Sequence, residues 1–398
     1  MSRHILTTFL AAAAMLLAAN APASANFSKF VDGLWPQARN AGVSRSTFNA
    51  AFNGMTPDPK VIAQTRKQAE FVKPIWEYLS TAVSDQRVST GREKFAAYRS
   101  TIANIEQRFG VEGNVVLAIW GMETNYGGYM GKNNAVRALA TLAYHNYRGD
   151  FFRNELINAL VILEQGHTQA RNMEGSWAGA MGHTQFMPSS FMKYAADYDG
   201  DGHKDIWNKV PDALASTANY LKSFGWRTGE TWGYEVDLPP GFNYALADEK
   251  TERTLGEWRK LGITRTRGRE FPRPSDRATL VVPAGARGPA FLMLPNFGVI
   301  KRYNNATAYA LGVGHLADRI IGGGPFEKSW PEGEPGMSRK DTEEMQRLLT
   351  RRGFDAGKPD GKAGPSTRAA VRAYQKARGI VADGYPSHAI LKQLRTGG

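Results

Sequence analysis

The stretch NVVLAIWGMETNYG, residues 114–127, is the most informative part of this sequence for fold and function. It predicts an apolar helix that carries one acid, Glu123, close to its C-terminal end, just before a glycine. A helix C-terminus disfavours negative charge and apolar neighbours disfavour ionisation, so both effects raise the pKa of this carboxyl group. The pattern is what a general acid needs, although a solvated glutamate at a helix end is the plain structural alternative.

A second segment, SWAGAMGHTQFMPSSF at residues 176–191, has the composition of a sugar-binding loop. Its small residues let a backbone or a ligand approach closely, while Ser176 and Gln185 offer hydrogen bonds beside aromatic and Met side chains. Turns rich in Gly and Ala are more often packing features, so the segment alone is weakly specific.

Taken together, these segments resemble the lytic murein transglycosylase B family. The resemblance rests on IWGMETNYG around Glu123, GAMGHTQFMPSS at 179–190, residues 212–220 and RYN at 302–304. It covers about residues 27–321, with one departure at His183, where members often carry an aromatic residue. The residues that it implies for the substrate groove are Ser176, Gln185, Phe186, Met187, Tyr220, Tyr303, Asn304 and Tyr309.

The resemblance implies a mainly α (α+β) fold, in which a lysozyme-like helical catalytic domain contains a small inserted mixed subdomain. It also implies cleavage of peptidoglycan between N-acetylmuramic acid and N-acetylglucosamine, with Glu123 as acid and then base and 1,6-anhydro ends as products. A hydrolytic muramidase, which needs a second acid to activate water, and a catalytically silent wall-binding protein are the alternatives.

Periodicity divides the chain further. Apolar residues at three- and four-residue spacing predict helices through 27–108 and at 151–164, and again at 305–321. Short β-prone pieces at 278–282 and 290–294 mark an inserted subdomain at about 229–300. We therefore predict a signal peptide at 1–25, a catalytic domain at 26–321, an exposed Gly/Pro-rich linker at 322–337 and a small helical domain at 338–398.

The last domain carries PDGKAGPSTRAAVRAYQ at residues 359–375, which resembles short peptidoglycan-binding domains. Ser366 or Thr367 is the predicted helix N-cap, with Val371 and Tyr374 facing a core. The resemblance implies a domain that holds the enzyme at the wall and raises its local concentration there.

The segment DYDGDGHKD, residues 197–205, spaces its acids as calcium-binding loops do. Asn208 replaces the usual closing glutamate of a twelve-residue loop. The family resemblance implies a longer loop with the ligands Asp197, Asp199, Asp201, the His203 carbonyl group and Asp212, here lengthened by one residue. The prediction is a structural Ca²⁺, and no organic cofactor; a metal-free Asp/Gly turn is the alternative.

The N-terminus predicts export. Arg3 and His4, the apolar stretch 5–19 and Ala-Ser-Ala at 23–25 match a cleaved signal peptide, and the apolar stretch is short for a membrane anchor. The chain has no Cys, which excludes a thiol nucleophile, disulfides and lipoprotein attachment. A net charge of +13 favours a polyanionic partner, and export favours an acidic envelope polymer over nucleic acid. We expect a soluble periplasmic protein with peptidoglycan as its partner.

Overall fold

The structure is a computed structural model that describes residues 21–67 and 73–396. Within these residues the chain forms two compact units, one from residues up to 66 together with 127–216, the other from 67–126 together with 217–398. The apolar stretch 5–19 of the predicted signal peptide lies outside the described residues.

The first unit is mainly helical. Its helices are α1 (Ala21–Asp32), α2 (Trp35–Asn40), α3 (Arg45–Phe52), α4 (Pro59–Lys67), α9 (Ala135–Tyr144), α10 (Asp150–Glu164), α11 (Pro188–Tyr194) and the first half of α12 (Val210–Ser223). Two short strands, β1 (Asn133–Asn134) and β2 (Glu174–Gly175), pair in antiparallel fashion. Polar caps begin several of these helices: the Ser44 side chain accepts from the Thr47 amide, and Asn134 accepts from Arg137.

The second unit begins with α5 (Ile75–Ala82), α6 (Asp85–Ala97), α7 (Arg99–Phe109) and α8 (Gly113–Thr124). After the second half of α12 come a five-stranded sheet with α13 (Leu255–Lys260), then α14 (Pro295–Tyr303) and α15 (Thr307–Ile320). Helix α8 is buried almost throughout and packs against α15. Gly314 of α15 lies against the Trp232 ring, where a side chain would clash. The predicted mainly α fold is confirmed.

The sheet forms the predicted inserted subdomain. Its strands are β3 (Gly233–Asp237), β4 (Glu252–Thr254), β5 (Thr264–Arg265), β6 (Arg277–Val281) and β7 (Ala290–Met293). They lie in the order β4-β6-β7-β3-β5, and every neighbouring pair is antiparallel. Trp258 on α13 is fully buried beside Leu280 and Leu292 and donates from its indole to the Ala278 carbonyl group. This core supports the sheet on one face.

The C-terminal residues form three helices, α16 (Arg339–Arg351), α17 (Pro365–Ala377) and α18 (His388–Thr396). A small helical domain was expected here, and Val371 and Tyr374 are buried as predicted. The predicted N-cap of α17 is wrong: the helix begins after Gly364 with Pro365 in its first turn. Thr367 is instead buried, and its hydroxyl group accepts a hydrogen bond from Gln346 at 2.9 Å.

The segment 322–337 was expected to be an exposed linker. Most of its residues are exposed, but it is anchored along its length. The Phe326 ring stacks on His315, the Trp330 ring lies 6.2 Å from that of Phe291, and Glu334 pairs with Arg287. We name residues 322–337 the strap, because they are held against the unit that contains the sheet.

The described helices include none that is both long and apolar enough to cross a membrane.

Candidate active site

Glu123 occupies the next-to-last position of α8, as the sequence predicted. Close packing explains the glycine two positions before it, because a side chain at Gly121 would lie 2.6 Å from the Tyr126 ring. Asn125, Tyr126 and Gly127 all have positive φ, at 51°, 58° and 83°. For a buried Tyr this backbone is strained, which is a feature of functional sites. The turn ends the helix abruptly and leaves Glu123 at its tip.

The Glu123 carboxyl group has the electrostatics of a general acid. Burial raises its pKa from 4.5 to about 7, as the apolar sequence around it predicted. The Tyr309 hydroxyl group donates a hydrogen bond to Oε1 at 2.6 Å, which acts in the opposite direction by favouring the charged form. Among the described residues no second carboxyl group acts on this pKa.

Three more tyrosines surround this pair within the second unit. Burial and the charge of Glu123 raise the pKa values of Tyr303 and Tyr78. The Tyr220 ring lies 4.9 Å from that of Tyr303, and its hydroxyl group donates to the Arg302 carbonyl group at 2.6 Å. Three predicted groove residues, Tyr220, Tyr303 and Tyr309, are thus brought together around the acid.

Two residues near the acid were not singled out by sequence reasoning. Tyr78 belongs to the apolar spacing that predicts helices through 27–108, and Arg87 has no distinctive local pattern. Arg87 donates to the carbonyl groups of Thr81 and Ala82 at the end of α5, and to the Asn125 side chain at 3.3 Å. It therefore ties the helix that bears Tyr78 to the turn that follows Glu123.

The remaining predicted groove residues lie elsewhere. Asn304 is exposed and follows directly on α14. In the first unit, the Ser176 hydroxyl group accepts from the amides of Ala178 and Ala180. Gln185 has φ of 50° and donates to the carbonyl groups of Met130 and Gly182.

Phe186 is only 2% exposed, and Met187 is the half-buried N-cap of α11. The segment is a tight, internally bonded loop with polar side chains partly accessible.

The predicted calcium loop brings together part of its ligand set. Carboxylate oxygens of Asp197, Asp199 and Asp212 lie within 4.8 Å of one another, and oxygen donors of this kind suit Ca²⁺. Asp201 and His203 are not in this group. The Lys209 ammonium group, which the sequence analysis overlooked, lies 2.6 Å from carboxylate oxygens of both Asp199 and Asp201. A metal ion here has to share the acids with an internal cation.

Comparison with known families gives two matches. The transglycosylase SLT domain model matches residues 26–318, and the putative peptidoglycan binding domain model matches residues 338–394. The membrane-bound lytic murein transglycosylase B of Escherichia coli (strain K12) is 34% identical over 250 residues. The match spans 61% of this chain and 66% of that protein's length.

Solved structures extend the similarity to almost the whole chain. SltB3 from Pseudomonas aeruginosa, in complex with NAG-anhNAM-pentapeptide, is 47% identical with a TM-score of 0.90 and covers 93% of this chain and 99% of its own. The Escherichia coli lytic transglycosylase Slt35, in complex with calcium, is 29% identical with a TM-score of 0.63. That match covers 74% of this chain and 92% of Slt35.

Proposed function

This chain belongs to the transglycosylase SLT domain family, and from that premise we propose that it is a lytic transglycosylase of peptidoglycan with Glu123 as its acid and base. The main support for this proposal is that the pKa of the Glu123 carboxyl group is raised to about 7 and that this group accepts a hydrogen bond from Tyr309. A muramidase would need a second carboxylate to activate water, and no described carboxyl group contributes to the raised pKa of Glu123.

In the proposed reaction, Glu123 donates its proton to the glycosidic oxygen as the bond from this oxygen to C1 of the muramic acid residue breaks. The substrate's own 2-acetamido oxygen supports the cation that develops at C1. The Glu123 carboxylate then removes the proton of the 6-hydroxyl group, whose oxygen bonds to C1 and releases the acetamido group. Intramolecular attack has a high effective molarity and outcompetes water, and Glu123 ends protonated as it began.

The product identifies the reaction class. Purified peptide-free glycan strands digested by this protein should give 1,6-anhydro-muramic ends, which are lighter than reducing ends by one water. Mass spectrometry of the digest distinguishes the two. Reducing ends as the main product would contradict the proposal and favour the muramidase, and no cleavage would favour the silent wall-binding protein.

We propose that Ser176, Gln185, Met187 and Tyr303, which are partly accessible, and the exposed Asn304 contact the glycan, while the buried Tyr220 and Tyr309 line the groove beside the acid. The role of Phe186 is different, since a side chain that is 2% exposed contributes by holding its loop. The strain at Gln185 supports a binding role because such backbone persists where function requires it.

We propose that residues 26–321 carry catalysis and residues 338–398 bind the wall, joined by the strap; the family matches at 26–318 and 338–394 support these bounds. The exported, periplasmic location remains a proposal that rests on the signal-like residues 1–25 and on the location of peptidoglycan.

We also propose that Asp197, Asp199 and Asp212 hold a structural Ca²⁺, with Asp201 and the His203 carbonyl group completing the set when Lys209 moves aside. The donor chemistry and the calcium complex of the related Slt35 support this. Lys209 then sets the affinity, because its ammonium group competes with the ion for Asp199 and Asp201.

Replacing Lys209 by Met should make the protein more dependent on calcium. In chelator the variant should melt below the wild type, because two acids lose their counter-ion. Saturating Ca²⁺ should then raise its melting temperature by several degrees, since an ion at 100 times its Kd adds about 2.7 kcal/mol. Lys204→Met is the matched control. If the wild type and the Lys209→Met variant each melt at the same temperature with calcium and with chelator, the metal site is contradicted.

A further inference from the structure

A cavity of about 440 Å³ lies between α5, α15 and the strap, and none of the residues placed at the Glu123 site lines it. Its volume is that of a site for a small ligand. Trp76 on α5 and Trp330 on the strap contribute indole rings, and Phe326 a third aromatic ring. The strap, expected to be a linker, thus forms one wall of this aromatic cavity.

His315 lines the cavity and is 7% exposed. Its ring stacks on Phe326 with centroids 3.8 Å apart, and neither ring nitrogen makes a hydrogen bond within the part of the chain that the structure describes. Burial lowers the pKa of His315 to about 4, so the ring is neutral at physiological pH. A buried neutral imidazole without a hydrogen-bond partner is available to a ligand and does not repel a cation.

The cavity is lined by two carboxylates and one ammonium group, and the charge of Arg319 reaches His315 in its wall, in a chain whose net charge is +13. Glu77 and Glu332 line it, and neither forms an ion pair with a described residue. Lys328 lines it as well, but its ammonium group donates to the Ala286 carbonyl group at 3.2 Å. Two carboxylates and three aromatic faces attract an ammonium group on an apolar chain, and the Lys328 ammonium group attracts a carboxylate beside it.

We propose that this cavity binds the free primary ammonium group of a peptidoglycan stem peptide, an inference that rests on the function proposed above. The diaminopimelate of an uncross-linked stem carries such an ammonium group at the end of a short methylene chain, beside a carboxylate with which the Lys328 ammonium group can pair. Helix α5 links the two sites: Trp76 and Glu77 line the cavity, and Tyr78, the next residue, interacts with Glu123. A strand held at the acid is thereby selected by the state of its peptide.

The test uses the full-length protein and two probes, N-acetyl-L-alanyl-γ-D-glutamyl-meso-diaminopimelate and the same N-acetylated tripeptide with a second acetyl group on its distal amine. Calorimetry should show at least about tenfold tighter binding of the free amine. Glu77→Gln combined with Glu332→Gln should remove most of this preference, since two partly exposed carboxylates together are worth roughly tenfold. Trp330→Leu keeps an apolar side chain and should weaken binding of the free amine by several-fold through loss of the ring face.

Glu93→Gln, an exposed carboxylate of α6, is the matched control and should bind as the wild type does. Equal affinity for both tripeptides, an unchanged preference in the double variant, or displacement of the tripeptide by N-acetylglucosamine would each overturn the proposal. Digestion of peptide-free glycan strands is measured in parallel. If anhydro products form but the two tripeptides bind equally well, only the proposed role of the cavity is refuted. If no anhydro products form, the proposed function itself is refuted.

Discussion

Glu123→Gln should reduce turnover of glycan strands to near the limit of detection. Glutamine keeps the size of the side chain and can still accept from Tyr309, but it has no proton to deliver to the leaving oxygen. General acid–base catalysis contributes on the order of 10²- to 10⁴-fold, and one residue that serves both half-reactions belongs at the upper end. Mass spectrometry of the anhydro products released by increasing amounts of enzyme measures how far turnover has fallen.

The variant should remain folded. The pKa of Glu123 is about 7 in the native protein and 4.5 in an exposed glutamate, so folding takes up a proton between these pH values. The wild type has this stabilising contribution in full below pH 4.5 and loses it as the pH rises through 7. Glutamine has no proton to lose, so at pH 8 the variant should melt at or above the temperature of the wild type.

Asp318→Asn is the matched control for this experiment. Asp318 is another acid of the second unit; burial raises its pKa to about 6, and its carboxylate accepts from the Trp232 indole at 3.0 Å. It does not contact Glu123, and asparagine can accept the same bond. Activity within a few-fold of the wild type is expected. A folded Glu123→Gln protein with more than about a tenth of wild-type activity would show that Glu123 is not the acid.

The sequence predicted the parts of this site whose cause is local. An apolar helix with one acid at its end predicts a buried carboxyl group with a raised pKa. In the structure the Glu123 carboxyl group is buried and its pKa is raised. The strands and helices with clear periodicity were likewise predicted to within a few residues. The short third helix of the C-terminal domain, α18, was missed because it lies at the end of the chain behind a segment rich in Gly and Pro.

Contacts between distant residues leave no such local pattern. The hydrogen bond from Tyr309 to Glu123 joins residues 186 positions apart, and only the family resemblance pointed to Tyr309. Tyr78 and Arg87 were missed for the same reason. Lys209 was missed because its effect depends on the fold of the loop, which places its ammonium group 2.6 Å from carboxylate oxygens of both Asp199 and Asp201.

Tyr309→Phe should lower activity by about 10- to 100-fold and move the pH profile. As Glu123 loses its proton to the leaving oxygen it becomes a carboxylate, and the Tyr309 hydroxyl group then donates to a charged acceptor. A hydrogen bond to a charged group is worth about 1.5–3 kcal/mol, and this one is strongest when the charge has developed. Its loss therefore falls on kcat more than on KM.

The direction of the pH shift separates this role from a structural one. In the wild type, kcat/KM should fall as the pH rises above about 7, because the acid must be protonated when substrate binds. Tyr309 stabilises the ionised form, so its removal raises the pKa of Glu123 further and moves this fall to higher pH. Tyr244→Phe, which removes a hydroxyl group from the region of the sheet, should leave the profile unchanged. A Tyr309→Phe protein with lower activity but an unshifted profile, or with a fall at lower pH, would show that this hydroxyl group does not act on the Glu123 carboxylate.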